Sequence, residues 1–127
     1  MGQKIHPIGF RVGITEPWRS RWYARKKEFG SLILEDARIR QYIRKEYKFA
    51  AIPRIEIERS GEEVRVIIFT ARPGVLIGKK GAKIDKLKEE LETLAKRKVA
   101  IDTKEITVPE LDANLVAQGI AEQLEKR

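Results

Sequence analysis

The sequence predicts an α+β fold in which helices cover one face of a three-stranded sheet, with a basic N-terminal arm before it and a C-terminal helix after it. Two observations carry this prediction. The apolar period changes along the chain, from helical spacing to alternation and back, giving the order helix, strand, strand, short helix, long helix, strand. Between the last two helices stands Gly78-Lys79-Lys80-Gly81, where two glycines interrupt both helical patterns. The 127 residues contain no interior Gly/Ser-rich linker, and an apolar content of 42% can build one core. The chain therefore divides into an arm at 1–30, a domain at 31–108 and a linking helix at 109–127.

In the arm, Pro7, Gly9, Gly13 and Pro17 break any regular period. Residues 1–27 carry seven bases, Lys4, Arg11, Arg19, Arg21, Arg25, Lys26 and Lys27, against Glu16 alone, a net +6 of the chain's +8. Phe10, Trp18, Trp22 and Tyr23 are interleaved with them. Such rings either anchor an arm on a core or stack on bases, and the sequence leaves both open. From Ser31 to Tyr47, Leu32, Ala37, Ile39, Tyr42, Ile43 and Tyr47 recur at helical spacing among Arg38, Arg40, Arg44 and Lys45, which form a solvated face or touch phosphates. Ile55 and Ile57 then alternate with charged residues, and Ser60-Gly61 turns the chain. Val64, Val66 and Ile68 follow on one side of a second strand, with Ile67 and Phe69 on the other. Arg72-Pro73-Gly74 ends that strand and opens a short helix. Ile84, Leu87, Leu91 and Leu94 give the long helix an apolar face, to be buried against Val64, Val66 and Ile68 or their alternates. Val99, Ile101 and Thr103 alternate as a third strand. From Asp112 to Lys126, Ala113, Val116, Ala117, Ile120, Ala121 and Leu124 form an apolar stripe.

The glycine pair reads as a backbone clamp for single-stranded nucleic acid. A phosphate approaches main-chain amides closely only where no Cβ intrudes, and the next helix adds its positive dipole end. Lys79, Lys80 and Lys83 supply charge. An ordinary helix-turn-helix loop can carry the same four residues, but here apolar helical patterns meet the glycines on both sides. This loop resembles that of KH domains, which holds about four backbone nucleotides. With two strands and a helix ahead of the loop, the element order resembles the type II, prokaryotic KH arrangement.

Four further stretches narrow the resemblance: residues Gly2 to Ile14, Ser20-Arg21-Trp22-Tyr23-Ala24, Glu35-Asp36-Ala37-Arg38-Ile39-Arg40 and Thr70-Ala71-Arg72-Pro73-Gly74. In this order they are similar to the N-terminal half of the bacterial family of small-subunit (30S) ribosomal proteins numbered three. The resemblance implies a structural RNA-binding protein of the subunit head, cytoplasmic, close to where messenger RNA enters. Its implied partners are small-subunit ribosomal RNA, messenger RNA and neighbouring head proteins. Arg72 and the arm residues Lys4, Arg11, Arg19, Arg21, Trp22, Arg25, Lys26 and Lys27 join the glycine loop as expected RNA contacts. The family continues into a second α+β domain, to which nothing after Arg127 corresponds, so the sequence reads as a fragment. A stand-alone KH-domain RNA-binding factor is the alternative.

Other chemistries find little footing. Cysteine is absent, which excludes disulfides and thiolate metal sites. His6 is the only histidine, so no histidine-based catalytic set can assemble, and a structural or RNA-contacting role is expected for it. The loop lacks the spacing and hydroxyl of a nucleotide-hydrolysing P-loop. We expect no enzyme activity, cofactor, metal or membrane partner.

Overall fold

Alternating apolar residues pair as expected. In the computed structural model, which describes residues 2–127, β2 (Arg54–Ser60) and β3 (Glu63–Thr70) form an antiparallel hairpin around Gly61, whose φ of 60° suits a residue without a Cβ. The register sets Ile55 opposite Ile68 and Ile57 opposite Val66. β4 (Lys98–Glu105) lies parallel to β3, with Val99 beside Val64 and Ile101 beside Val66. These side chains share one face, and this settles which strand face is inward: Val64, Val66 and Ile68 are buried, as are Ile55, Ile57 and Val99.

Helices α2 (Lys26–Glu46), α3 (Pro73–Ile77) and α4 (Ala82–Ala95) cover that face. α2 contributes Ile39 and Ile43, α3 Leu76, and α4 Leu87 and Leu91, all fully buried in one cluster with the strand residues. Burying a side chain of this size stabilises by about 1.5–3 kcal/mol. Thr70, at the end of β3, donates from Oγ1 to the Ala50 carbonyl at 2.5 Å and accepts the Arg72 amide at 3.0 Å. This bond pair ties the strand end to the turn after α2 and fixes where α3, and hence the glycine loop, begins.

The sheet has a fourth strand that the sequence did not announce. β1 (Ser20–Arg21), from the arm, pairs parallel with β2, so the order across the sheet is β1-β2-β3-β4. Two residues are too few to show an alternation. The arm also begins with a helix, α1 (Pro7–Arg11), where breakers suggested irregular chain. Pro7 stands in the first turn, where its missing N–H costs nothing, and His6 Nδ1 accepts from Ile8 and Gly9 at 3.3 and 3.4 Å. His6 is therefore a helix cap. α2 starts at Lys26, ahead of the expected Ser31, because its first turns are polar and show no apolar period. α5 (Ala113–Glu125) closes the chain, capped by Asp112, whose Oδ1 accepts from Asn114 and Leu115.

Candidate nucleic-acid interface

The Gly-Lys-Lys-Gly loop joins two helices that meet the core independently. Leu76 of α3 and Leu87 of α4 are both fully buried, so the four intervening residues must reverse the chain within a short gap. They do so with three departures from ordinary backbone geometry among the four. Gly78 has φ 73° and ψ −170°, Lys80 φ 53° and ψ 28°, and Gly81 φ 79° and ψ 2°. Gly78 needs its hydrogen for a second reason: a Cβ there would lie 2.7 Å from Lys83 Cγ and 3.0 Å from Cδ.

The stem of Lys83 thus lies across Gly78, while its Nζ approaches the Val75 carbonyl at 3.4 Å and stands 5.3 Å from the centre of the Phe49 ring. Lys79 and Lys80 are exposed. Among the described residues neither forms an ion pair, unlike Arg21, Arg54, Arg59 and Arg65, all of which do. α4 starts directly at Ala82, whose amide donates back to the Lys79 carbonyl, and no side chain caps its N-terminus. First-turn amides of a helix lack intrahelical acceptors, so this end offers donors and a positive dipole beside two uncommitted lysines. The acidic residue of that first turn is Asp85. A phosphate chain fits this combination: it needs close main-chain approach, donors and charge, all of which the loop presents together.

Half-exposed Phe49, in the turn Lys48–Ala50 after α2, belongs to this surface and was missed in the sequence. Its only signal was an aromatic beside a basic residue, which the chain repeats at Phe10-Arg11, Trp18-Arg19 and Arg21-Trp22. Arg72 is exposed where α3 begins. No hydrogen bond or ion pair among the described residues links the loop to the arm.

The arm residues separate into distinct groups. Arg21 lies on the open face of the sheet, where Nε and Nη2 donate to Glu58 at 3.0 and 2.5 Å and Nη1 donates to Glu56 at 2.8 Å. The Glu58 bond raises the Arg21 guanidinium pKa above its ordinary value, with partial burial opposing. Trp22 is docked: its Nε1 donates to Asp36 at 2.8 Å, and its ring packs 5.3 Å from that of Phe29. Asp36 is buried in α2 and also accepts from Ser20 and Arg59, so one carboxylate fastens the arm, a helix and a strand. Lys4, Arg11, Arg25, Lys26 and Lys27 are exposed, whereas Arg19 is half-buried. Phe10, Trp18 and Tyr23 are 63%, 66% and 94% exposed. Trp22 therefore anchors the arm, and the other three rings face solvent.

The sequence model described as KH domain matches residues 38–111, which is more than half of the chain and includes the loop. Among curated relatives, the small ribosomal subunit protein uS3 of Koribacter versatilis is 53% identical over all of this chain and 56% of its own length. Those of Nitrobacter hamburgensis and Caldicellulosiruptor bescii are 57% and 54% identical, again over the whole chain and over 55% and 58% of their own lengths. The chain spans about half the length of the curated relatives it matches. With the helix-loop-helix, the sheet order and the family match in agreement, this chain belongs to the KH-domain family.

Proposed function

We propose that the chain is a structural RNA-binding protein of the small ribosomal subunit, located with that subunit in the cytoplasm and bound to ribosomal RNA beside neighbouring ribosomal proteins. Its role is scaffolding, not catalysis. The observation that carries the RNA reading is the loop: two exposed, unpaired lysines held between glycines at an uncapped helix start. The ribosomal setting is supported by similarity, over all of this chain and about half of their own length, to proteins named small ribosomal subunit protein uS3. Messenger RNA is the second ligand this loop suits, since a backbone clamp does not select a sequence.

Reversing both charges with Lys79→Asp and Lys80→Asp should sharply weaken binding to single-stranded RNA while leaving the unfolding midpoint nearly unchanged. Loss of two phosphate contacts alone flattens the log–log salt dependence by about 1.4 for a single strand. Arg65→Gln is the charge control, because Arg65 is already paired with Asp102 on the open sheet face. Equal effects of both changes, or an unchanged salt slope in the double variant, would show that the loop is not the clamp. Co-sedimentation with small subunits separates the ribosomal reading from a free KH-domain factor, which would be recovered outside the particles.

A further inference from the structure

The arm and α2 together enclose a second cationic site. A cleft of about 420 Å³ opens between them, lined by Trp18, Arg19, Arg40, Arg44, Ile8 and Ile55 among others. It shares no lining residue with the glycine loop. Arg40 forms its inner wall and is held rigidly: Nη2 donates to the Arg19 carbonyl at 2.9 Å and to Ser20 Oγ at 2.6 Å, while Nε points at the Ile55 carbonyl at 3.5 Å. Its nearest carboxylate oxygen is on Asp36, 4.0 Å away, and Asp36 already serves Ser20, Trp22 and Arg59.

Arg19 and Arg44 add two more guanidinium groups, and among the described residues neither forms an ion pair. Arg19 Nε is buried and, among the described residues, has no hydrogen-bond partner. An unpaired buried donor is costly, which marks a place where an acceptor belongs. Burial lowers the Arg40 pKa; Asp36 opposes this, while the nearby charges of Arg44, Arg19 and Arg59 push the same way. The cleft therefore holds uncompensated positive charge. At its rim stands Trp18, an indole 66% exposed and free to stack.

We propose that this cleft binds one phosphodiester of an RNA backbone, with Arg19 and Arg44 donating to the phosphate oxygens and Trp18 stacking on an adjacent base. A guanidinium set matches phosphate oxygens geometrically, and an aromatic face beside it favours a nucleotide over a bare anion. The arm is thereby a folded RNA-binding element in its own right. This inference rests on the RNA reading of the chain but uses different residues from the loop.

The test follows the Arg19 Nε–H resonance by NMR in the full chain, titrated with inorganic phosphate in one arm and a single-stranded RNA oligomer in the other. Both should shift it. Arg44→Gln, at an exposed position, should weaken RNA binding and flatten the salt slope by about 0.7, and should do so equally when Lys79→Asp and Lys80→Asp are present. Trp18→Ala should weaken RNA binding but not the response to inorganic phosphate. If RNA moves the loop resonances and leaves Arg19 unmoved, the cleft proposal falls and the loop reading stands. A response to inorganic phosphate alone would make the cleft a small-anion site and overturn the RNA assignment. If RNA moves neither region, both readings fall.

Discussion

At Gly78, backbone and packing impose the same requirement. Its φ and ψ lie in a region open essentially to glycine alone, and Lys83 fills the space where a Cβ would stand. Gly78→Ala should therefore destabilise the domain by about 1–3 kcal/mol, read as a lower urea midpoint. Lys80 is the informative contrast. It holds a left-handed conformation, φ 53°, which glycine would adopt without strain. Lys80→Gly should leave the midpoint unchanged or raised yet weaken RNA binding, because it relieves the left-handed strain while removing one charge of the proposed clamp. A separate residue, Tyr42, makes stability pH-dependent in the alkaline range. Its hydroxyl donates to Glu90 at 2.7 Å, and this bond, reinforced by burial and the Glu90 charge, pushes the phenol from 10.0 up to about 12. The neutral form is the one the fold favours. Its contribution is fully present below about pH 10 and is lost as pH rises through about 12. Stability should fall across that window, and Tyr42→Phe should remove this part of the slope in denaturant titrations.

Among the elements, the arm is more deeply integrated than its composition suggests. β1 hydrogen-bonds to β2, Trp22 and Ser20 satisfy Asp36, and the Arg19 carbonyl accepts both the Ile57 amide and Arg40. Deleting residues 1–27 strips partners from the buried Asp36 carboxylate and the half-buried Arg40, so the unfolding midpoint should drop markedly. Deleting residues 1–17 leaves β1 and Trp22 in place and should cost far less stability, while still lowering the fraction that co-sediments with small subunits. Equal loss of stability in the two deletions would show that α1 and its loop, not β1, carry the attachment. α5 behaves in the opposite way. It contributes no buried residue, and Val116, Ile120 and Leu124 are 44%, 54% and 66% exposed. It is held by a bond from Gln118 to the Lys48 carbonyl and an exposed pair between Lys48 and Glu125, which is worth little. Hydrogen exchange across Ala113–Glu125 should be much faster than across Ala82–Ala95, whose Leu87 and Leu91 are sealed in the core. Equal protection in a monomer would mean the stripe is already covered.

Across the whole molecule, the net charge of +8 is not spread evenly over the surface. The open sheet face is internally balanced, with Arg21, Arg54 and Arg65 set against Glu56, Glu58 and Asp102. Bases that form no ion pair among the described residues include Lys79 and Lys80 of the glycine loop, Lys4, Arg11, Arg25, Lys26 and Lys27 of the outer arm, and Arg19 and Arg44 of the cleft. The sequence alone is enough for the hairpin, the long helices, the third expected strand and the loop. Each of these is written in a local period of two or 3.6 residues, or in glycines that only a few backbone conformations explain. It also separated the basic arm from the rest, because charge can be counted without a fold. What each arm residue touches was set by long-range packing. Arg21 meets partners 35 and 37 positions away, Trp22 meets Asp36, and β1 gains its identity as a strand only from β2. A two-residue strand has no period to read, and an arginine in an ion pair is spelled the same as one left free for a phosphate. The difference lies in which acceptors long-range packing brings within hydrogen-bond reach.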